Sequence, residues 1–200
     1  MSSAGQKKTI VNAISEPAFV APGGYASFRA VFDDIALANN KYVAVLFNTN
    51  TSYDVIVHSV RVRHANLTAA TGVITEFTLR RISAFTTGTA LTPIADDPSR
   101  DTLPSGVSCD HNSSAVSDVS GGLIQRFHRT GEELILAADT LLLSGSTNAG
   151  SLVYQQLPGT RGLTLSGATA ANSGLAVKCE TNTVEGTVNI EIEFSVKLRN

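Results

Sequence analysis

From Thr187 to Arg199, apolar and polar residues alternate without a break. Val188, Ile190, Ile192, Phe194, Val196 and Leu198 take one set of positions; Asn189, Glu191, Glu193, Ser195 and Lys197 take the other. Side chains of an extended chain point alternately to opposite faces, so this period of two predicts a strand with one dry and one wet face. No charge falls on the dry face, which predicts a long strand closing a sheet over a core.

The same reading gives strands at residues 25–32, 41–47, 53–64 and 73–82. In 53–64, Ile56, Val60 and Val62 form one face, while Tyr53, Val55 and Val57 begin the other, which ends in Arg61 and Arg63. A strand dry on both faces at one end predicts an end covered by a loop or another subunit. The polar run Asn48-Thr49-Asn50-Thr51-Ser52 reads as a hairpin connection, because Asn tolerates the left-handed backbone of such turns. Residues 66–72 turn the chain, and 73–82 return antiparallel with Val73, Phe77 and Leu79 inward.

Residues 33–40 read as a loop with some helical character. Residues 84–120 are irregular, with one short strand near 90–94, surface loops at 96–101 and 104–106, and a Ser/Asn-rich run at 110–120. Strands resume at 123–128, 134–136 or 140–143, 151–156, 162–165 and 175–179, separated by Gly-rich turns. About ten strands with little 3.6-residue periodicity predict an all-β antiparallel β-sandwich or jelly roll, one domain over 22–200.

Residues 1–21 have no such period. Ser2, Ser3, Gly5, Gln6, Lys7 and Lys8 are polar, Ile10, Val11, Ile14, Phe19 and Val20 are apolar, and Pro17 and Pro22-Gly23-Gly24 punctuate the end. One reading is a solvated terminus. The other is an extended N-terminal arm that orders on a neighbouring subunit, with Phe19 and Val20 as apolar anchors and Lys7 and Lys8 as steering charges.

Composition narrows the partners. Two hundred residues suffice for one well-buried domain. Only 16% are charged and the net charge is −2, so no cluster of Lys and Arg invites a phosphate backbone. A polar but sparsely charged surface suits protein contact, since few charges need desolvating. The apolar runs at 43–47 and 141–143 are far too short for a membrane span. Lys7 and Lys8 are followed by no apolar stretch of signal-peptide type, so synthesis in a cytoplasm is expected. Cys109 and Cys179 lack a His at ligand spacing; their pairing cannot be read from sequence, and a cytoplasmic origin favours free, buried thiols.

Candidate chemistry is sparse. His58 and His64 lie six residues apart on one strand, too far to share a metal, and His111 and His128 lie elsewhere. Asp96, Asp97, Asp101 and Asp110 do not follow a calcium-loop spacing and read as turn residues. Glu191 and Glu193 share a strand face at a separation compatible with paired-carboxylate catalysis, but an exposed face explains them equally. No nucleophile elbow, phosphate loop or dinucleotide fingerprint occurs, so no enzyme, cofactor or metal is expected. Trp is absent, which weakens a sugar-stacking groove, although Tyr25, Tyr42, Tyr53 and Tyr154 remain.

Three stretches carry a family resemblance. They are Leu46-Phe-Asn-Thr-Asn-Thr-Ser-Tyr-Asp-Val-Ile-Val-His-Ser-Val-Arg-Val, then Phe77-Thr-Leu-Arg-Arg-Ile-Ser-Ala-Phe-Thr-Thr-Gly-Thr-Ala-Leu-Thr-Pro running on to Leu103-Pro-Ser-Gly-Val, and finally Gly174-Leu-Ala-Val-Lys with residues 186–196. Together they resemble the jelly-roll decoration, or cement, proteins of tailed bacteriophages, as an opening hairpin, a strand with its loop, and a closing pair. The resemblance implies a homotrimer on the outside of the virion that binds the major capsid protein and stabilises the assembled head. Similar folds serve as fibre or tail modules, so a receptor- or glycan-binding role is the alternative.

Overall fold

The structure, a computed structural model, describes residues 26–67, 73–86, 88–131, 152–181 and 186–199. Among the described residues twelve strands form two antiparallel sheets. The first sheet holds β1 (Ala26–Ala36), β3 (Tyr53–Leu67), β6 (Ile94–Ala95), β9 (Leu152–Gln155), β10 (Leu163–Ser166) and β12 (Gly186–Leu198). Its order is β10–β3–β12–β1–β6, with β9 also paired to β3. The second holds β2 (Lys41–Asn48), β4 (Val73–Thr86), β5 (Thr89–Leu91), β7 (Val107–His111), β8 (Ser114–Gly131) and β11 (Gly174–Thr181), in the order β5–β7–β2–β11–β4–β8. The fold is therefore an all-β sandwich.

The alternation in β12 places Val188, Ile190, Ile192, Phe194 and Val196 in the core between the sheets. This strand does not close an edge. It lies between β3 and β1, paired along almost its whole length on both sides, which is why its dry face carries no charge. Leu198, past the core, is exposed.

The two dry faces expected for β3 have another cause. Phe194 pairs with Val57 and Glu193 with Ser59, so His58 is an extra residue on β3. This bulge inverts the alternation. Val55 and Val57 point inward before it, and Val60 and Val62 point inward after it, all fully buried. Ile56 lies on the outer face, half-buried. No loop or second subunit is needed to cover a second dry face.

The connections also differ from the expected hairpins. Strands β2 and β3 lie in different sheets, so residues 49–52 cross from one layer to the other. Asn48 fixes this corner. Its buried side-chain amide donates to the carbonyls of Tyr53 (2.9 Å) and Leu165 (3.2 Å), and its Oδ1 accepts from Asn50 N. Likewise β4 does not return along β3; it pairs with β11 and β8 in the second sheet, with Phe77 and Leu79 inward. The stretches 174–178 and 186–196, expected to be a closing pair, lie in opposite sheets.

Residues 33–36 continue β1 rather than forming a helical loop, past a bulge where Asp34 has φ 51° and its N–H is held by Asn189 Oδ1. The short strand expected at 90–94 is two strands, β5 and β6, in different sheets. The Ser/Asn-rich run after Ser113 is the first part of β8. Ala84 and Thr86 of β4 pair with Ser117 and Ser114, and Phe85 and Val116 pack on a second, small core of Val45, Phe47, Ile82 and Ala176. That core lies on the outer face of the second sheet, so the polar run is recruited as a cover for apolar residues outside the sandwich. Gly174 is required there. A Cβ on it would lie 2.4 Å from the Phe47 ring and 2.5 Å from Ile82. The strands expected within 134–143, and the arm at 1–21, fall outside the described residues.

Candidate functional site

The outer face of the first sheet carries the densest polar constellation. Cross-strand register puts Glu193 between Ser59 and Arg29, and Glu191 beside Arg61. Arg29 reaches Glu191 at 3.1 Å and Glu193 at 3.4 Å; Arg61 reaches Glu193 at 3.2 Å. Arg63 approaches Glu191 at 4.0 Å. Ser59 Oγ donates to Glu193 Oε2 at 2.6 Å. That hydrogen bond, reinforced by Arg61 and Arg29, holds the Glu193 carboxyl below its usual range. Both glutamates are thus committed to arginines and half-buried, not free on an exposed face. Each carboxylate is held in ion pairs with two or more arginines across neighbouring strands.

Beside this network the β3 bulge aims His58 at two partners. Its Nε2 lies 2.9 Å from Ser195 Oγ, and its Nδ1 lies 2.7 Å from Gln156 Oε1. The order Ser–His–acceptor has the outline of an acyl-transfer relay. Two features remove that chemistry. Ser195 is 1% exposed, so its hydroxyl is beneath the histidine and out of reach of a substrate carbonyl. The third member is an amide, which cannot stabilise an imidazolium as a carboxylate does. The three residues lock the bulge and pin residue 156 after β9 to the sheet. A cleft of about 250 Å³ opens next to them, lined by Arg29, His58, Asp96 and Glu193 over Phe28 and Phe194.

The outer face of the second sheet has its own network. Arg80 pairs with Asp118 and, at 2.6 Å, with Glu180; Lys178 pairs with Glu180 at 2.7 Å, and Thr78 donates to the same carboxylate. Burial pushes Glu180 upward, but these donors and charges outweigh it and its carboxyl sits below the usual range. Tyr42 donates to Asp118 at 2.9 Å, and burial, with that hydrogen bond, raises its phenol to about 12.

Asp110 is the outlier. It is 1% exposed, and among the described residues neither carboxylate oxygen has a well-aligned hydrogen-bond partner. Burial raises its pKa, opposed by the nearby Gly88 N–H and by His111. Gly88 packs so closely over this corner that a Cβ would lie 2.2 Å from the His111 carbonyl oxygen. Burial, with Lys41, lowers the His111 pKa.

The sequence-nominated groups are scattered by the fold. Asp96, Asp97 and Asp101 lie in the segment after β6, where Asp97 caps Ser99, while Asp110 lies in the opposite sheet. Cys109 and Cys179 are buried and not joined in a disulfide, and burial raises both thiols, Cys179 to about 11. Among the described residues no three His, Cys, Asp or Glu gather as a metal-ligand set. Lys7, Lys8, Phe19 and Val20 fall outside the described residues. The arginine–glutamate face and the His58 relay were absent from the sequence reading. Their only signal was Arg61 and Arg63 on one strand and Glu191 and Glu193 on another, which means nothing until the two strands are known to be neighbours. Compared with protein-family models, with curated proteins and with solved structures, the chain matches none.

Proposed function

We propose that this chain is a structural virion protein of the jelly-roll decoration type, which binds the major capsid protein on the outside of an assembled phage head. The observation that carries the reading is the winding of the strands. β1, β12, β3 and β10 neighbour one another in one sheet and β2, β11, β4 and β8 in the other. β1 to β4 pass from sheet to sheet at each connection, and the chain ends with β11 in one layer and β12 in the other. Eight strands so wound support a jelly-roll reading of the sandwich. The resemblance at residues 46–62, at 77–93 with 103–107, and at 174–178 with 186–196 supports the same assignment.

The chemistry of the faces agrees with an adhesive role. Their ionic groups are largely paired with one another, so covering them with a partner strands few bare charges. A trimer adds weak contacts by raising the effective concentration of each second binding event. Bound copies then favour the closed shell over its parts by mass action.

A receptor- or glycan-binding module is the alternative, favoured by the polar cleft over Phe28. Two measurements separate them. Purified protein mixed with undecorated capsids should co-sediment at a fixed stoichiometry and raise the temperature at which the shells open. Specific binding on a glycan array with no capsid binding would replace this reading with the alternative.

A further inference from the structure

We propose that the apolar cleft at one end of the second sheet is the seat of this chain's own N-terminal segment, with Phe19 and Val20 as the anchors. The cleft has about 330 Å³ of room and lies against Phe47, Ala84, Phe85 and Val107, with no charged residue in its lining. The Phe47 and Phe85 rings sit 5.0 Å apart at 58°. Such a pair offers ring faces and edges to a further aromatic side chain. Ser83, Thr49 and Ser108 at the rim can meet the backbone of an entering segment.

The place where the described chain begins makes this occupant specific. Ala26 pairs with Val196, which pairs with Val55, two residues from the Tyr53–Leu198 pair. Asn48, next to Phe47, bonds the Tyr53 carbonyl. Ala26 and the cleft are therefore at the same end of the sandwich, on opposite sheets. The chain makes this crossing elsewhere at the same end. Asp96 N bonds Ser27 O beside the start of β1, and the segment that follows arrives at Gly106 and Val107 in the cleft wall.

The sheets of a sandwich stack about 10 Å apart. The six residues back from Ala26 to Val20 can extend about 20 Å, enough to round the end and enter the cleft from outside. Pro22-Gly23-Gly24 lies where that path must bend. Beyond Tyr25, which directly precedes Ala26, Val20 and Phe19 are the next large apolar side chains back along the chain. Tethering keeps them at roughly millimolar effective concentration, so a weak seat fills. The inference does not depend on the virion reading.

A nitroxide on Ala18→Cys in the full chain tests it, because the buried, high-pKa thiols of Cys109 and Cys179 will not compete for the label. NMR amide signals of Thr49, Ser83, Phe85 and Ser108 should broaden selectively. The broadening should be lost when Phe19→Ser and Val20→Ser are added. Cleft signals left sharp in the full chain, or broadening that survives the double substitution, would overturn the proposal. So would broadening that appears only between differently labelled copies in a mixed sample, which would make a second molecule the occupant.

Discussion

Ser59 donates its hydroxyl proton to Glu193 across the β3–β12 pair at 2.6 Å, one residue beyond the bulge at His58. The hydrogen bond couples the irregularity of one strand to the charge network of the next. Ser59→Ala should cost about 1 kcal/mol at pH 7, less than the roughly 1.5–3 kcal/mol of a bond to a charged group because Glu193 is partly exposed. The Glu193 pKa is depressed in the folded state, so this contribution is present above the unfolded carboxyl range and is lost as pH falls through the folded value. Urea unfolding of both proteins should therefore give stabilities that converge on acidification. A constant gap down to strongly acidic pH would contradict the assigned partner.

The phase of β3 gives a sharper check. Val57→Thr buries a hydroxyl in the core and should cost about 2 kcal/mol. Ile56→Thr, on the outer face, should cost less than about 1 kcal/mol. If the alternation ran unbroken from Ile56 to Val60 and Val62, the two costs would be reversed. On β12, Ile192→Asp places an unpaired charge at a fully buried position, and soluble folding should be lost. An unchanged melting temperature would refute the register.

These particulars mark how far the sequence is legible. Val188 to Val196 could be read because one unbroken period of two survives in a central strand. In β3 the same period fails, since a single extra residue inverts it and linear spacing cannot see where a partner strand places the bulge. Asn48 to Ser52 has hairpin composition, yet composition does not say whether the next strand joins the same sheet or crosses to the other. That choice is set by hydrogen bonds to Tyr53 and by Leu165, which is 117 residues away. The Arg29–Glu191–Arg61 face arises from three separate strands, so its proximity exists only in the fold.

Asp110 should weaken the protein when ionised. Its folded pKa is raised, so stability is full below the unfolded value and declines as pH rises through the folded one. Asp110→Asn removes that decline and should raise stability at pH 7 by about 1 kcal/mol, an effect that fades on acidification. Thermal melts across pH measure it directly. A destabilised Asn variant at neutral pH would mean that the carboxylate is held as an anion by favourable contacts.

The arm and the body should separate functionally. Deleting residues 2–20 should leave the β-type circular-dichroism spectrum intact, because the paired strands of both sheets lie within 26–199. Capsid occupancy should fall. Full occupancy by the truncated protein would remove Lys7 and Lys8 from the capsid contact.

The central claim is that this β-sandwich works by adhering to a phage head and performs no reaction. A reconstructed map of the intact particle tests it most directly. The account predicts density for the two-sheet body on the outer surface of the head, in contact with the major capsid protein. Density for this chain at a tail tip or fibre, with none on the head, would contradict it.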